Sequence, residues 1–377
     1  MDFALTSEQE QFRDEIRAFL SKEIASGAAR RDEKGEFPYE DYKKLAARGY
    51  AGLIIPSQFG GHGGGTMEYS ILTEEIARAD AGMYGAFAFV FHLAKTLLMF
   101  GTAEQKAKFL PRISQGDAIG AVAISEPHVG SSFKSMKTTA TRQDGWYVLN
   151  GTKTHINNGR EATLMFAWAK AEQGLTCFLL ERDLSEWKVL SKHDPISMRA
   201  SPVYTLKFEN YKVPEGNVIN REGGGLEVFT RLYNFARIGH ASAFVGIASA
   251  ALEELIGYGS KREVGDRYLT DFQGVRWIIV DLASKLEAAK LIRDRAAWAM
   301  DRGEDSAKLT SMAKLVAGEA AQEIALQACQ LSGGVSCYRN VPFERYLREV
   351  RLLNIAGGAQ EIMRENIARQ MLGKPKT

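Results

Sequence analysis

The chain has 377 residues, 45% hydrophobic and 25% charged, the proportions of a soluble globular protein long enough for two or three structural units. A net charge of +2, with no basic stripe interleaved with aromatics, argues against nucleic acid as a partner. Three scattered cysteines, Cys177, Cys329 and Cys337, form no CxxC pair, which fits reduced cytosolic thiols better than a disulfide or zinc framework.

The N-terminal stretch MDFALTSEQEQFRDEIRAFL carries acidic residues where a secretory signal needs a basic start and an apolar run. Ser7 and Glu10 predict a capping box opening an amphipathic helix, with Phe12, Ile16 and Phe19 at helical spacing. SQFGGHGGG (57–65) is glycine-rich like a phosphate loop, but no Lys-Ser/Thr follows, so it reads as a flexible surface loop. The most apolar segment, 83–101, contains His92 and Lys95 and is interrupted by glycine; it predicts a buried helix rather than a membrane span. TAEQKAKFLPRI predicts a short capped helix stopping at Pro111. A soluble, cytoplasmic protein is expected, beginning with an α-helical unit over residues 1–118.

From 119 to 222 the pattern turns to short alternating segments: AVAIS, TATRQDGWYVLNGTKTHI, TLMFAWAKA, TCFLLE, WKVLS and VYTLKFENYKV. Asp144-Gly145 and Asn150-Gly151 sit where tight hairpin turns belong, predicting a compact antiparallel β unit. Pro214 and Gly223-Gly224-Gly225 mark its lower edge. Residues 223–377 return to long helical periodicity with short connections, the pattern of an up-and-down bundle. There is no HExxH, GxSxG, GxGxxG or Walker loop, and the six histidines show no metal-ligand spacing. Composition and periodicity therefore reach an α–β–α protein with an internal cleft and name no reaction.

The stretch AISEPHVGSSFKSMKTTATRQDGWYVLNGTKTHINNG (123–159) resembles the acyl-CoA dehydrogenase family. The family's pattern there is Thr/Ser-Glu-Pro, then Gly-Ser, then a hairpin ending Asn-Gly-x-Lys-x-Trp-Ile-Thr-Asn-Gly. GTAEQKAKFLP, FENYKVPEGNVI, KREVGDRYLTDFQ, QLSGG and VPFERYLREVRLLNIAGG agree in order, so the resemblance spans essentially the whole chain. It implies an α+β fold with an N-terminal helical domain, a central β-barrel and a C-terminal four-helix bundle, assembled as a homotetramer or homodimer. It implies FAD between barrel and bundle and an acyl thioester substrate. In such enzymes a glutamate removes the α-proton while flavin N5 takes the β-hydride.

Carried over by position, the resemblance implies that Ser125 bonds the isoalloxazine and Ser131 meets the pyrophosphate. Arg262 and Gln273 match contacts to the FAD phosphates and adenosine across subunits, and Gly333 and Gly334 a close backbone approach to the ADP moiety. Arg237, with Tyr233 beside it, matches an arginine near the substrate thioester. The chain departs from the pattern at Gly265-Asp266, where the family has Phe-Gly. It departs again at His155, in place of the tryptophan covering the flavin, and at Asn157, in place of the threonine near N5.

LLNIAGGAQEIMR (352–364) holds the largest departure. Adjacent glycines cost a helix roughly 1 kcal/mol each relative to alanine. Here they mark the family's loop over the flavin, with Gly357 where the usual glutamate stands. The alternative glutamate position, in the long bundle helix, is Ala236. Glu361 lies four residues beyond the loop position, where the family carries Gln or Glu that does not act as base. A positioned base is worth about 10²–10⁴-fold in rate, so a plain fatty acyl thioester is disfavoured as substrate.

Three readings follow. The base sits elsewhere, with His155, Tyr233 and His92 as candidates. Or the substrate loses carboxylate or sulfinate or carries an α-heteroatom. Or the flavin does other chemistry, such as oxygen activation, or none. Enzymes of this type acting on carrier-protein thioesters in polyketide and nonribosomal peptide pathways vary in a similar way, which adds a carrier protein to CoA as the expected acyl carrier.

Overall fold

The structure is a computed structural model that describes residues 4–130, 132 and 135–373. Its first helix, α1 (Ser7–Glu23), is capped one residue upstream of the expected pair. Thr6 Oγ1 accepts from the Gln9 amide at 3.3 Å, and Gln9 Oε1 accepts from the Thr6 amide at 3.2 Å. Then follow α2 (Ala28–Lys34), α3 (Tyr39–Ala47), α4 (Thr66–Ala79), α5 (Ala81–Phe100) and α6 (Ala103–Ser114). Helix α6 runs past Pro111, contrary to expectation. Phe109, Leu110 and Ile113 keep its buried stripe continuous, and the Gln115 amide closes the last turn on the Pro111 carbonyl at 3.0 Å.

The glycine loop at 57–65 is pinned rather than flexible. The amides of His62, Gly63 and Gly64 donate to the carbonyls of Gly52, Ile55 and Leu53 at 2.8–3.0 Å.

The central unit is one eight-stranded sheet: β1 (Gly120–Ala123), β2 (Thr139–Gln143), β3 (Trp146–Asn157), β4 (Leu164–Ala171), β5 (Gly174–Glu181), β6 (Lys188–His193), β7 (Val203–Pro214) and β8 (Val218–Ile219). Its order is β6-β7-β3-β2-β4-β5-β8, with β1 beside β4. The expected all-antiparallel pairing is corrected here. β1 enters from α6 and runs parallel to β4, with Gly120 opposite Leu164, and β2 meets β4 in parallel at Thr139.

Asp144-Gly145 makes the expected two-residue turn, with φ of 46° and 83° and Gln143 paired to Trp146. Asn150-Gly151 does not turn the chain; it is a bulge inside β3. The Asn150 side chain accepts the Asn210 amide of β7 at 2.9 Å. A Cβ on Gly151 would come within 2.7 Å of the Thr138 Cα, so only glycine fits that approach.

Alternation along the inner strands divides two cores. Leu164, Phe166, Trp168, Cys177 and Leu179 join the helices in one cluster, whereas Met165, Ala167, Ala169, Phe178 and Leu180 fill the other face. The C-terminal part comprises α7 (Gly225–Gly259), a two-stranded hairpin of β9 (Glu263–Val264) and β10 (Arg267–Tyr268), α8 (Gln273–Asp301), α9 (Ala307–Ser332), α10 (Phe343–Leu353) and α11 (Gln360–Leu372). α7 and α8 both pack on α9, as do α10 and α11.

Helix α5 lies between the two halves, packed against both β1 and α7. α5 and α7 are long and apolar enough to cross a membrane by composition, but both bury that surface inside the protein.

Candidate active site

Three groups of residues stand out, the first two of them meeting on α5. The first is the end of β3. The amide of Thr154 donates to the Ser125 carbonyl at 2.9 Å, so the Ser125 segment is tied to the strand that carries His155 and Asn157. His155 is exposed, has φ of 57° at a bulge, and lies with its ring 5.1 Å from that of His193. Partial burial, then the His193 charge, lowers its pKa from the ordinary imidazole value. Asn157 Nδ2 donates to Ser201 Oγ at 3.0 Å, and buried Asn158 donates to the α5 carbonyl of Ala86 at 2.9 Å. Ser201 Cβ in turn faces Gly85 of α5, which carries this strand end onto the helix.

The second group lies on the helical side. Arg237 is 9% exposed; one guanidinium nitrogen donates to Asn234 Oδ1 at 2.6 Å, while Nε has no partner among the described residues. Burial pushes this guanidinium down to about 10 and the Tyr233 phenol up to about 12. His92 of α5 is buried against Phe89, its Nε2 unpartnered among the described residues, and burial pushes it down to about 4.

Facing buried His240, one helical turn beyond Ala236, is the loop Ala356–Ala359, with Gly357 at φ 64° and Gly358 at φ 101°. Buried Lys314 of α9 fixes it, donating to the carbonyls of Ala356, at 2.5 Å, and Gly358. Burial, with Arg237 nearby, pushes that ammonium down to about 7. Glu361, in the first turn of α11, is exposed.

The third group is an open cleft of about 850 Å³ lined by Lys261, Arg262, Ser332, Gly333 and Gly334 among others. A Cβ on Gly333 or Gly334 would meet nothing within 4 Å, so backbone is presented directly to the cleft. Buried Ser332 Oγ lacks a partner among the described residues, and neither Lys261 nor Arg262 forms an ion pair with them. Bare backbone, an unused hydroxyl and two free cations suit a dinucleotide's phosphate end. Arg262, Gly333 and Gly334 thus come together; Gln273 is exposed at the start of α8 outside this lining, and Ser131 lies outside the described residues.

These features fit a nucleotide cofactor, and the comparisons give the family. The acyl-CoA dehydrogenase N-terminal, middle and C-terminal domain models match residues 6–117, 121–211 and 223–372. The chain belongs to the acyl-CoA dehydrogenase family and is an FAD-dependent oxidoreductase acting on acyl thioesters. It is 35% identical to an acyl-CoA dehydrogenase of Bacillus subtilis over 98% of this chain and 99% of that one. The butyryl-CoA dehydrogenase structure of Megasphaera elsdenii superposes with a TM-score of 0.96 at 30% identity, covering 99% and 100% of the two chains. The prolyl acyl carrier protein oxidase AnaB gives 0.92 at 28% identity over 98% and 100%, and an FAD complex of PigA gives 0.94 at 27% over the whole of both chains.

Sequence reasoning passed over two buried groups of the second cluster, Lys314 and His240. His240 follows Ala236 by one helical turn, a signal visible in FARIGH. Its position against the Ala356–Ala359 loop depends on the bundle's packing and had no local signature.

Proposed function

We propose that this enzyme oxidises the Cα–Cβ bond of an acyl thioester, carried on CoA or on a carrier protein, that is not a plain fatty acyl group. FAD, when bound, supplies the two-electron acceptor. Ser125 and Asn157 hold the isoalloxazine, His155 covers its face, and Arg262, Gln273, Gly333 and Gly334 receive the ADP end, together with Ser131. Arg237 and Tyr233 receive the thioester end of the substrate. The protein works as a cytoplasmic homotetramer or homodimer.

The observation that carries the reading is Arg237, a buried cation with an unpartnered Nε beside a loop that has no carboxylate. A desolvated guanidinium without an anion is costly unless a ligand's carbonyl or charge completes it. The likeness to AnaB supports a carrier-protein thioester and that to butyryl-CoA dehydrogenase supports CoA. Among the proton-acceptor candidates, Tyr233 is too strongly held at about 12 to ionise near neutrality. His155 is tested by His155→Phe, which abolishes rapid reduction if that ring is the base.

Anaerobic mixing of the FAD-loaded protein with thioesters on CoA and on a carrier protein tests the function. Rapid bleaching of the oxidised flavin is expected. A flavin that bleaches only with added reductant, or a product formed without bleaching, points to oxygenase or lyase chemistry and overturns the reading.

A further inference from the structure

The space beside Gly357 is filled. A Cβ on Gly357 would fall 2.5 Å from Cε1 and 2.7 Å from Nε2 of His240, so the imidazole occupies the volume that a side chain at 357 would enter. His240 reaches it from α7, and its ring is held at the other nitrogen: Nδ1 lies 2.7 Å from the Ala236 carbonyl oxygen. A carbonyl oxygen only accepts, so Nδ1 carries the hydrogen and the neutral ring's lone pair resides on Nε2. Nε2 is one of the two ring atoms turned to Gly357.

We propose that His240 Nε2 is the proton acceptor of this enzyme, standing where a glutamate from position 357 would reach. The inference rests on the acyl-thioester oxidoreductase reading. Nε2 would take the α-proton and become imidazolium while the Cα–H electron pair forms the Cα=Cβ bond; FAD, when bound, would supply the two-electron oxidant that accepts the β-hydrogen with its pair.

The groups around the ring decide its protonation. Lys314 of α9, Arg237 of its own helix and His92 of α5 face it, and the Tyr84 ring stands edge-on at 6.3 Å. Burial first, then the Lys314 cation, holds the imidazole well below its ordinary value, against the opposing pull of the Ala236 carbonyl. The lone pair is therefore free at neutral pH. A base so weakened suits an α-hydrogen acidified beyond that of a saturated acyl chain, for example by an adjacent thioether or a second carbonyl.

The test uses FAD-loaded wild type, His240→Phe, Gly357→Glu and the His240→Ala/Gly357→Glu double variant. Nitrogen NMR of the wild type at pH 7 should show His240 as the Nδ1–H tautomer; an Nε2–H tautomer or an imidazolium overturns the proposal. Exchange of α-hydrogen for deuterium is followed by mass spectrometry with butyryl-CoA and with 3-thiabutyryl-CoA, whose sulfur acidifies the α-position. His240→Phe should lose about 100-fold or more of the exchange with flavin content unchanged. Gly357→Glu should lose it through the clash, and the double variant should regain it by supplying a carboxylate in the vacated space. Exchange within about threefold of wild type in His240→Phe, or a double variant as inactive as its parents, sinks the assignment. Absence of both exchange and flavin reduction in the wild type counts against the functional reading beneath it, while the tautomer still decides the geometry.

Discussion

Lys153 Nζ lies 3.0 Å from Glu126 Oε1 with both side chains buried, and donates equally to the Ile124 carbonyl at 3.0 Å. With the Thr154–Ser125 backbone bond, both residues 124 and 125 are thereby fastened to β3. Glu126 also accepts the amides of Lys137 and Thr138. Breaking a buried ion pair from one side costs about 3–5 kcal/mol. Lys153→Met should lower the melting temperature and also the FAD retained after gel filtration, because the segment carrying Ser125 loses its Ile124 and Glu126 anchors and keeps only the Thr154 backbone bond. Equal flavin content in variant and wild type would show that the pair serves only stability.

Acid should destabilise the protein through histidines buried in their neutral form. His92 protonates near 6.5 when unfolded but is held down to about 4 when folded. Between those values the unfolded state binds the extra proton, so stability is full above pH 6.5 and falls as pH drops toward 4. Each such group contributes a slope of about 1.4 kcal/mol per pH unit in that window. His92→Leu should flatten the acid limb of the stability curve measured by denaturant titration. A limb of unchanged slope would place the acid sensitivity elsewhere.

Helix α8 presents an apolar face to solvent. Trp277, Val280, Leu291 and Trp298 are 44–62% exposed, and Trp277, Leu291 and Trp298 recur at seven-residue multiples along one side. Exposed apolar surface of this kind marks a protein interface. Trp277→Arg with Trp298→Arg should shift the sedimentation coefficient toward the monomer. FAD retention should fall with it, since Gln273 sits at the start of the same helix. A double variant sedimenting as wild type would move the subunit contact to another face.

The cleft beside α7 offers a test that leaves the cores untouched. Gly334 has open space for a side chain, and Arg262 is exposed. Gly334→Glu and Arg262→Glu should each weaken FAD binding by 10-fold or more, roughly the 1.5–3 kcal/mol of a hydrogen bond to a charged group. Fluorescence titration of the flavin-stripped protein reads this, and the melting temperature of that stripped protein should not move. Undiminished affinity in both would separate the cleft from the cofactor.

Local chemistry made much of the architecture legible. The Asp144-Gly145 turn, the period-two strands and the three long bundle helices each carry their cause within a few residues. Where the sequence misled, a distant partner decided. Asn150-Gly151 has hairpin chemistry, but Asn210 and Thr138 hold it inside a strand. Pro111 should end a helix, yet burial on both sides carries the helix through. The parallel pairing of β1 with β4 joins segments some forty residues apart, beyond any turn signal. In the site, FARIGH and IAGGA were both readable as motifs, but the contact between His240 and Gly357 exists only once α7 and the loop before α11 are packed.

That contact also constrains how this chain can change. A carboxylate cannot be placed at 357 while the imidazole fills its place, and Gly357 at φ 64° adds a backbone penalty for any other residue. Removing the imidazole first empties the pocket without supplying a replacement. Each single step is therefore worse than either end, so the two positions form an epistatic pair separated by a fitness valley. A glutamate at 357 is thus shut out for as long as His240 keeps its imidazole, whichever thioester the enzyme uses.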